Sequence, residues 1–145
     1  MNYNKQNRMN GFPMELSSLK CELCKGDLLN NEDTGLYVLV KDPQKNRIVD
    51  LYLSCKGGHD KSLERAYNEK GYTTEYYELG DMKNPILWVI NVMQLLTRLQ
   101  KEHNFTNDAF EKYKKVLWET FPYICRELNE EEVQRFRTLQ QFDAL

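Results

Sequence analysis

Four residues in the first half of the chain have the types and spacing to hold a metal ion. Cys21 and Cys24 are separated by two residues, and Cys55 and His59 by three. Thiolate and imidazole together suit Zn²⁺, which takes four such ligands in a tetrahedron, at about 2.3 Å from sulfur and about 2.0 Å from nitrogen. Each pair is too close in sequence to spread apart, so each supplies two adjacent corners. The segment between the pairs then decides how the two halves meet. Gly57 and Gly58 allow the tight backbone between Cys55 and His59, because glycine takes positive φ without steric cost. The expectation is a structural Zn²⁺ site on Cys21, Cys24, Cys55 and His59. The alternatives are three ordinary cysteines with a loop histidine, or a redox Cys-x-x-Cys, which lacks the βαβ setting of such motifs here. A catalytic zinc would keep an open position and need an acid or base beside it. The chain has two histidines, His59 and His103, and no His-x-Glu ahead of a Pro-Cys-x-x-Cys run.

The elements that must position these ligands are legible in outline. Gly26, two residues after the first cysteine pair, is placed to end a metal-binding turn with a positive φ, while backbone N–H groups face the cysteine sulfurs. Leu36 to Val40 and Ile48 to Leu53 are β-rich runs. Between them, Asp42-Pro43 starts a turn and Asn46 can take a left-handed conformation, which together signal a hairpin. The second run delivers Cys55 at its end. Asp60 to Ser62 opens a short helix, Leu63 to Lys70, closed by Gly71. Asp60 is a candidate either to orient the His59 imidazole or to cap this helix. Tyr72 to Leu79 reads as a strand beside the hairpin, with stacking on bases or a partner as the alternative use of its tyrosines.

This order of turn, hairpin, second ligand pair and helix start resembles the treble-clef class of zinc fingers, with the zinc ribbon as the related alternative. The resemblance covers residues 20–70 and is one of architecture. It implies a metal and a local shape, and very little about activity.

Beyond Gly80 the chain reads as helical. Asn84 caps a helix with Pro85 in its first turn, and Ile86 to Leu99 is apolar nearly all round, which predicts a central helix or one in an oligomer interface, ending near His103. At the end of this helix His103 has a structural role, as a cation at the negative end of the helix dipole. Thr106 or Asn107 caps the next helix, on which Phe110, Tyr113, Leu117 and Phe121 form an apolar stripe. Pro122 breaks or kinks it, Tyr123 to Leu128 continues helically, and Cys125 reads as a small buried hydrophobe. Asn129 with Glu132 signals a last helix, lined by Val133, Phe136, Leu139 and Phe142.

The expected fold class is α+β: an N-terminal zinc-stabilised β-hairpin module followed by a unit of three to four helices. The divisions are a flexible tail at 1–14, the zinc-finger-like β module at 15–80 and the helical unit at 81–145. The chain has 145 residues, 29% charged, and a net charge of −2, which fits an ordinary soluble domain rather than a dedicated DNA-binding one. Met1 to Asn10 is polar with no apolar run behind it, so nothing there resembles a signal peptide. Ile86 to Leu99 contains Asn91, Gln94, Thr97 and Arg98, too polar a stretch to span a bilayer. Cysteines committed to metal rather than disulfides point to an intracellular, cytoplasmic setting.

The leading functional expectation is a non-enzymatic regulatory or adaptor protein that meets a protein partner, or a second copy, through its helical half. The alternative is a DNA- or RNA-binding factor that uses Lys41, Lys45 and Arg47 at the hairpin tip to contact phosphates. A metal-dependent nuclease or other hydrolase is the third reading.

Overall fold

Gly35 to Val40 has an apolar or small residue at every position, the pattern of a strand covered on both faces rather than on one. The computed structural model describes residues 19–29, 35–102 and 104–141, and in it this run is the inner strand of a three-stranded antiparallel sheet. The strands are β1 (Gly35–Asp42), β2 (Arg47–Cys55) and β3 (Thr73–Glu78), in the order β2-β1-β3. Every residue of β1 from Gly35 to Val40 is buried. At Gly35 the packing leaves no room for a side chain: a Cβ there would stand 2.9 Å from Leu28 Cβ and 3.0 Å from Leu79 Cδ1.

The hairpin keeps one register from Gly35 opposite Cys55 to Val40 opposite Asp50, then shifts so that Lys41 faces Ile48. The shift leaves Val49 unpaired as a bulge. One face of the sheet carries Leu36, Val38, Val40 and Tyr52, covered by Val49, Tyr72 and two residues of α1 (Gly58–Glu69), Leu63 and Tyr67. The other face carries Tyr37, Leu39, Ile48 and Leu51, which pack with Leu19, Cys21, Leu28 and Leu29 from the N-terminal segment. A 3₁₀ turn (Leu79–Lys83) adds Leu79 and Met82, α2 (Pro85–Glu102) adds Leu95, and α3 (Asn107–Ile124) adds Ala109, Tyr113 and Val116. The result is α+β, with four helices among the described residues. One buried cluster holds side chains from both halves of the chain. No helix among the described residues is long and apolar enough to cross a membrane.

Local signals locate the helix ends. Asn84 Oδ1 accepts from the Ile86 and Leu87 N–H groups at 2.9 and 3.2 Å, and Thr106 Oγ1 accepts from Ala109 N–H at 3.2 Å. At α4 (Glu130–Gln141), Asn129 Oδ1 accepts from Glu132 N–H while Glu132 Oε1 accepts from Asn129 N–H, a reciprocal capping box.

Elsewhere tertiary packing overrides the sequence pattern. Helix α2 is not central: it buries Ile86 and Leu95 but exposes Met93 and Leu96, because α3 and the 3₁₀ turn occupy most of the narrow sheet face. On α3 the buried stripe is Ala109, Tyr113, Val116 and Thr120, rotated from the expected one, and Phe121 is exposed. The helix runs through Pro122 and stops at Ile124, so Cys125 lies just past its end and is exposed, not buried. The expected tail at 1–14, the start of the expected β module at 15, and His103 and Phe142 lie outside the described residues.

Candidate metal centre

The Cys21–Cys24 turn is held by Lys25 N–H to Cys21 O at 2.8 Å and Cys21 N–H to Gly26 O at 3.0 Å. The left-handed residue that closes it is Lys25, with φ 64°, rather than Gly26. At Gly26 a Cβ would stand 3.4 Å from Cys24 Sγ, so the residue lies against the ligand group without needing a left-handed conformation. The turn is tied to the sheet by Glu22 N–H to Leu53 O at 3.0 Å, two residues before Cys55. Gly57, with φ 91°, then reverses the chain, and α1 begins at Gly58, so His59 stands in the first helical turn.

These three elements bring Cys21, Cys24, Cys55 and His59 together at the end of the sheet where β2 finishes. Their ligand atoms all lie within 4.8 Å of one another. Cys21 Sγ is 3.5 Å from His59 Nδ1, and Cys24 Sγ is 3.5 Å from Cys55 Sγ. A tetrahedral ion with the usual metal–ligand distances would need edges of about 3.8 Å between sulfurs and about 3.6 Å between sulfur and nitrogen. The group could therefore hold a metal ion, with the Nδ1 of His59, which stands 3.5 Å from Cys21 Sγ, as its nitrogen donor. Among the described residues it is the one cluster of this kind.

The four differ in access to solvent. Cys21 is fully buried, Cys55 and His59 are half-buried, and Cys24 is exposed. Burial pushes the Cys21 thiol up, but the backbone N–H groups of Cys24, Cys55 and Leu23 and the Cys24 thiol outweigh it, and the group falls to about 6. Burial, reinforced by the neighbouring Cys24 and Cys21, pushes the Cys55 thiol up to about 11. The cluster thus accepts a first negative charge readily and resists further ones, a repulsion that a bound cation relieves.

Asp60 neither caps α1, which has no side-chain cap, nor is it hydrogen-bonded to His59; its Oδ1 accepts from Tyr52 O–H at 3.0 Å. Lys41, Lys45 and Arg47 lie at the other end of the hairpin, where Asp42 Oδ1 organises the turn by accepting from Gln44 and Lys45 N–H. The strands place that tip about 23 Å from the metal centre. In β3, Tyr77 stacks on Tyr37 at 5.2 Å and Tyr76 is 67% exposed.

Two features escaped the sequence. The first is an apolar groove of about 460 Å³ between α2 and α3, lined by Trp88, Leu117, Trp118, Phe121 and Lys114. Trp118 is 68% exposed, and its signal was an aromatic residue standing off the apolar stripe. The second is the group of Asp50, Lys112 and Tyr67, from three separate elements, which no local spacing announces. Compared with protein-family models, curated proteins and solved structures, the chain matches none.

Proposed function

We propose that the chain is a small zinc-binding regulatory or adaptor protein, non-enzymatic, that works through contact with a protein partner by its helical half. Cys21, Cys24, Cys55 and His59 hold a structural Zn²⁺, which fastens the N-terminal turn to the hairpin and to α1. Three thiolates and one imidazole favour zinc over harder ions, and four protein donors fill the tetrahedron with no position left for water or substrate. The order of turn, hairpin and helix-borne last ligand supports a treble-clef arrangement over a ribbon, which would close on a strand-borne turn. Four free cysteines fit a reducing, cytoplasmic setting.

The observation that carries the interaction reading is the aromatic groove between α2 and α3. Trp88 within it is satisfied, its indole N–H donating to Thr120 Oγ1 at 3.0 Å, whereas most of Trp118 faces water. Exposed tryptophan beside leucine and phenylalanine is the composition of interface hot spots. Trp118→Glu should leave the fold intact, since an exposed position changes stability by about 0.5 kcal/mol or less. Complexes would be isolated from cells making wild type or Trp118→Glu at equal levels and compared by quantitative mass spectrometry. A protein recovered with wild type and lost with the variant supports the reading; identical recoveries would overturn it.

The second reading, nucleic-acid binding, is favoured by the exposure of Lys45 and Arg47 at the hairpin tip beside Lys41. In the same preparations it is expressed as bound RNA or DNA that is lost when Lys41, Lys45 and Arg47 are changed to alanine.

A further inference from the structure

We infer that the metal centre is also an oxidative modification site, in which exposed Cys24 reacts with a hydroperoxide and Cys55 closes a disulfide with it, expelling the metal. The inference rests on the reading of Cys21, Cys24, Cys55 and His59 as zinc ligands and separates the three sulfurs that this reading treats alike.

Access decides which sulfur is struck first. Cys21 is fully buried, enclosed by Leu19, Leu28 and the rest of the inner cluster, so a peroxide meets Cys24 before it. Exposure and thiolate character together govern such oxidation, and metal ligation keeps the sulfur deprotonated. Proximity then decides the partner. Cys24 Sγ already lies 3.5 Å from Cys55 Sγ, whereas Cys21 Sγ lies 3.5 Å from His59 Nδ1. A disulfide needs the sulfurs at about 2.05 Å, an approach of about 1.5 Å. Solvent surrounds the chain just after Cys55, where a Cβ placed on Gly57 or Gly58 would meet nothing within 4 Å.

The chemistry balances with the hydroperoxide as sole oxidant. The Cys24 thiolate attacks the terminal peroxide oxygen, the O–O bond breaks, and the departing alkoxide takes a proton from water, leaving a sulfenic acid. The Cys55 thiolate then attacks the Cys24 sulfur. The S–S bond forms, the S–O bond breaks, and hydroxide leaves to be protonated to water. Two thiolates, one hydroperoxide and two protons give a disulfide, an alcohol and water. Only Cys21 and His59 remain for the metal, two donors where four had closed the shell, and the ion departs.

Cys125 is the other exposed thiol; its Sγ donates to Phe121 O at 3.4 Å at the end of α3. The test therefore uses the full chain carrying Cys125→Ser, loaded with zinc and treated with hydrogen peroxide. Released zinc is read with a chromogenic chelator, and the disulfide is mapped by mass spectrometry of a non-reduced digest. The expected result is one zinc released per chain in step with a Cys24–Cys55 bridge, both reversed by a thiol reductant with added zinc. In Cys24→His, which keeps a donor but removes the oxidisable sulfur, release should slow on the order of ten-fold. A Cys21–Cys24 bridge, sulfinic acid without a bridge, or zinc retained under excess peroxide would overturn the inference and leave the zinc site standing. Absence of zinc from the untreated, zinc-supplied protein would instead remove the reading underneath it.

Discussion

Asp50 lies beside the bulge at Val49, where β2, α1 and α3 meet. Its carboxylate accepts from Lys112 Nζ at 2.6 Å, from Tyr67 O–H at 2.7 Å and from Leu51 N–H at 2.8 Å. Burial pushes this carboxyl up, but the three donors outweigh it and hold it below its ordinary value. A carboxyl depressed in the folded state stabilises fully above its unfolded value, about 3.9, and that contribution is lost as pH falls through the lower folded value. Lys112 is half exposed, so solvent screening limits its share. Asp50→Asn should therefore cost about 1 kcal/mol at pH 6 and much less at pH 2.5, with the wild-type advantage shrinking across that acid range. Urea midpoints of both proteins over the pH series check this; a constant difference would deny the charge its role. The residues differ in how readily sequence betrays them. Cys21 and Cys24, or Cys55 and His59, are neighbours along the chain, and spacing alone implies their joint use. Asp50 and Lys112 are 62 residues apart and meet only through the bulge and the docking of α3. The apolar neighbours of Cys125 suggest burial, but α3 stops at Ile124 and leaves the thiol exposed just past its end.

Elements announce their ends more plainly than their buried faces. Asn46, φ 52°, turns the hairpin; Asn84, Thr106 and Asn129 start helices. Each acts through its own backbone or a backbone group two or three residues away, so no tertiary information is needed. The rotation of the α3 stripe is a different matter. It follows from how the start of the helix is attached to β2: Phe105 bridges Ile48 in parallel, Thr106 N–H donates to Ile48 O, and the Thr106 hydroxyl donates to Val49 O at 3.3 Å. Thr106 thus caps α3 and fixes it to the bulge with one oxygen. Thr106→Ala should cost about 1–2 kcal/mol, and Thr106→Ser should recover most of it by restoring the hydroxyl. Equilibrium unfolding of the two variants measures this; equal losses in both would mean that the methyl group, not the oxygen, matters.

Across the whole molecule, the candidate metal centre and the core share a residue. Cys21 belongs to the ligand group and to the buried cluster that includes Tyr113 and Val116 of α3. The helical layer is further joined to the sheet by Tyr37 O–H donating to Asn91 Oδ1 at 2.7 Å. If the proposed zinc is bound there, removing it should weaken the entire structure rather than its N-terminal part alone. With a strong chelator, thermal unfolding followed by tryptophan fluorescence, which reports on Trp88 and Trp118, should shift down by at least about 5 °C as a single transition. A tryptophan transition unmoved by the chelator would show that the two regions are uncoupled. The position of the ligands along the chain bears on how the molecule is made. All four candidate ligands precede residue 60, whereas Leu95, Ala109, Tyr113 and Val116 follow it by at least 35 residues. On the ribosome, the turn, hairpin and first turn of α1 emerge complete while the helices that roof the sheet are still being synthesised. An ion captured at that stage would hold β1 and β2 in register and give the later helices a formed surface to dock on. Zinc supply during translation, rather than afterwards, would then set the yield of folded chain.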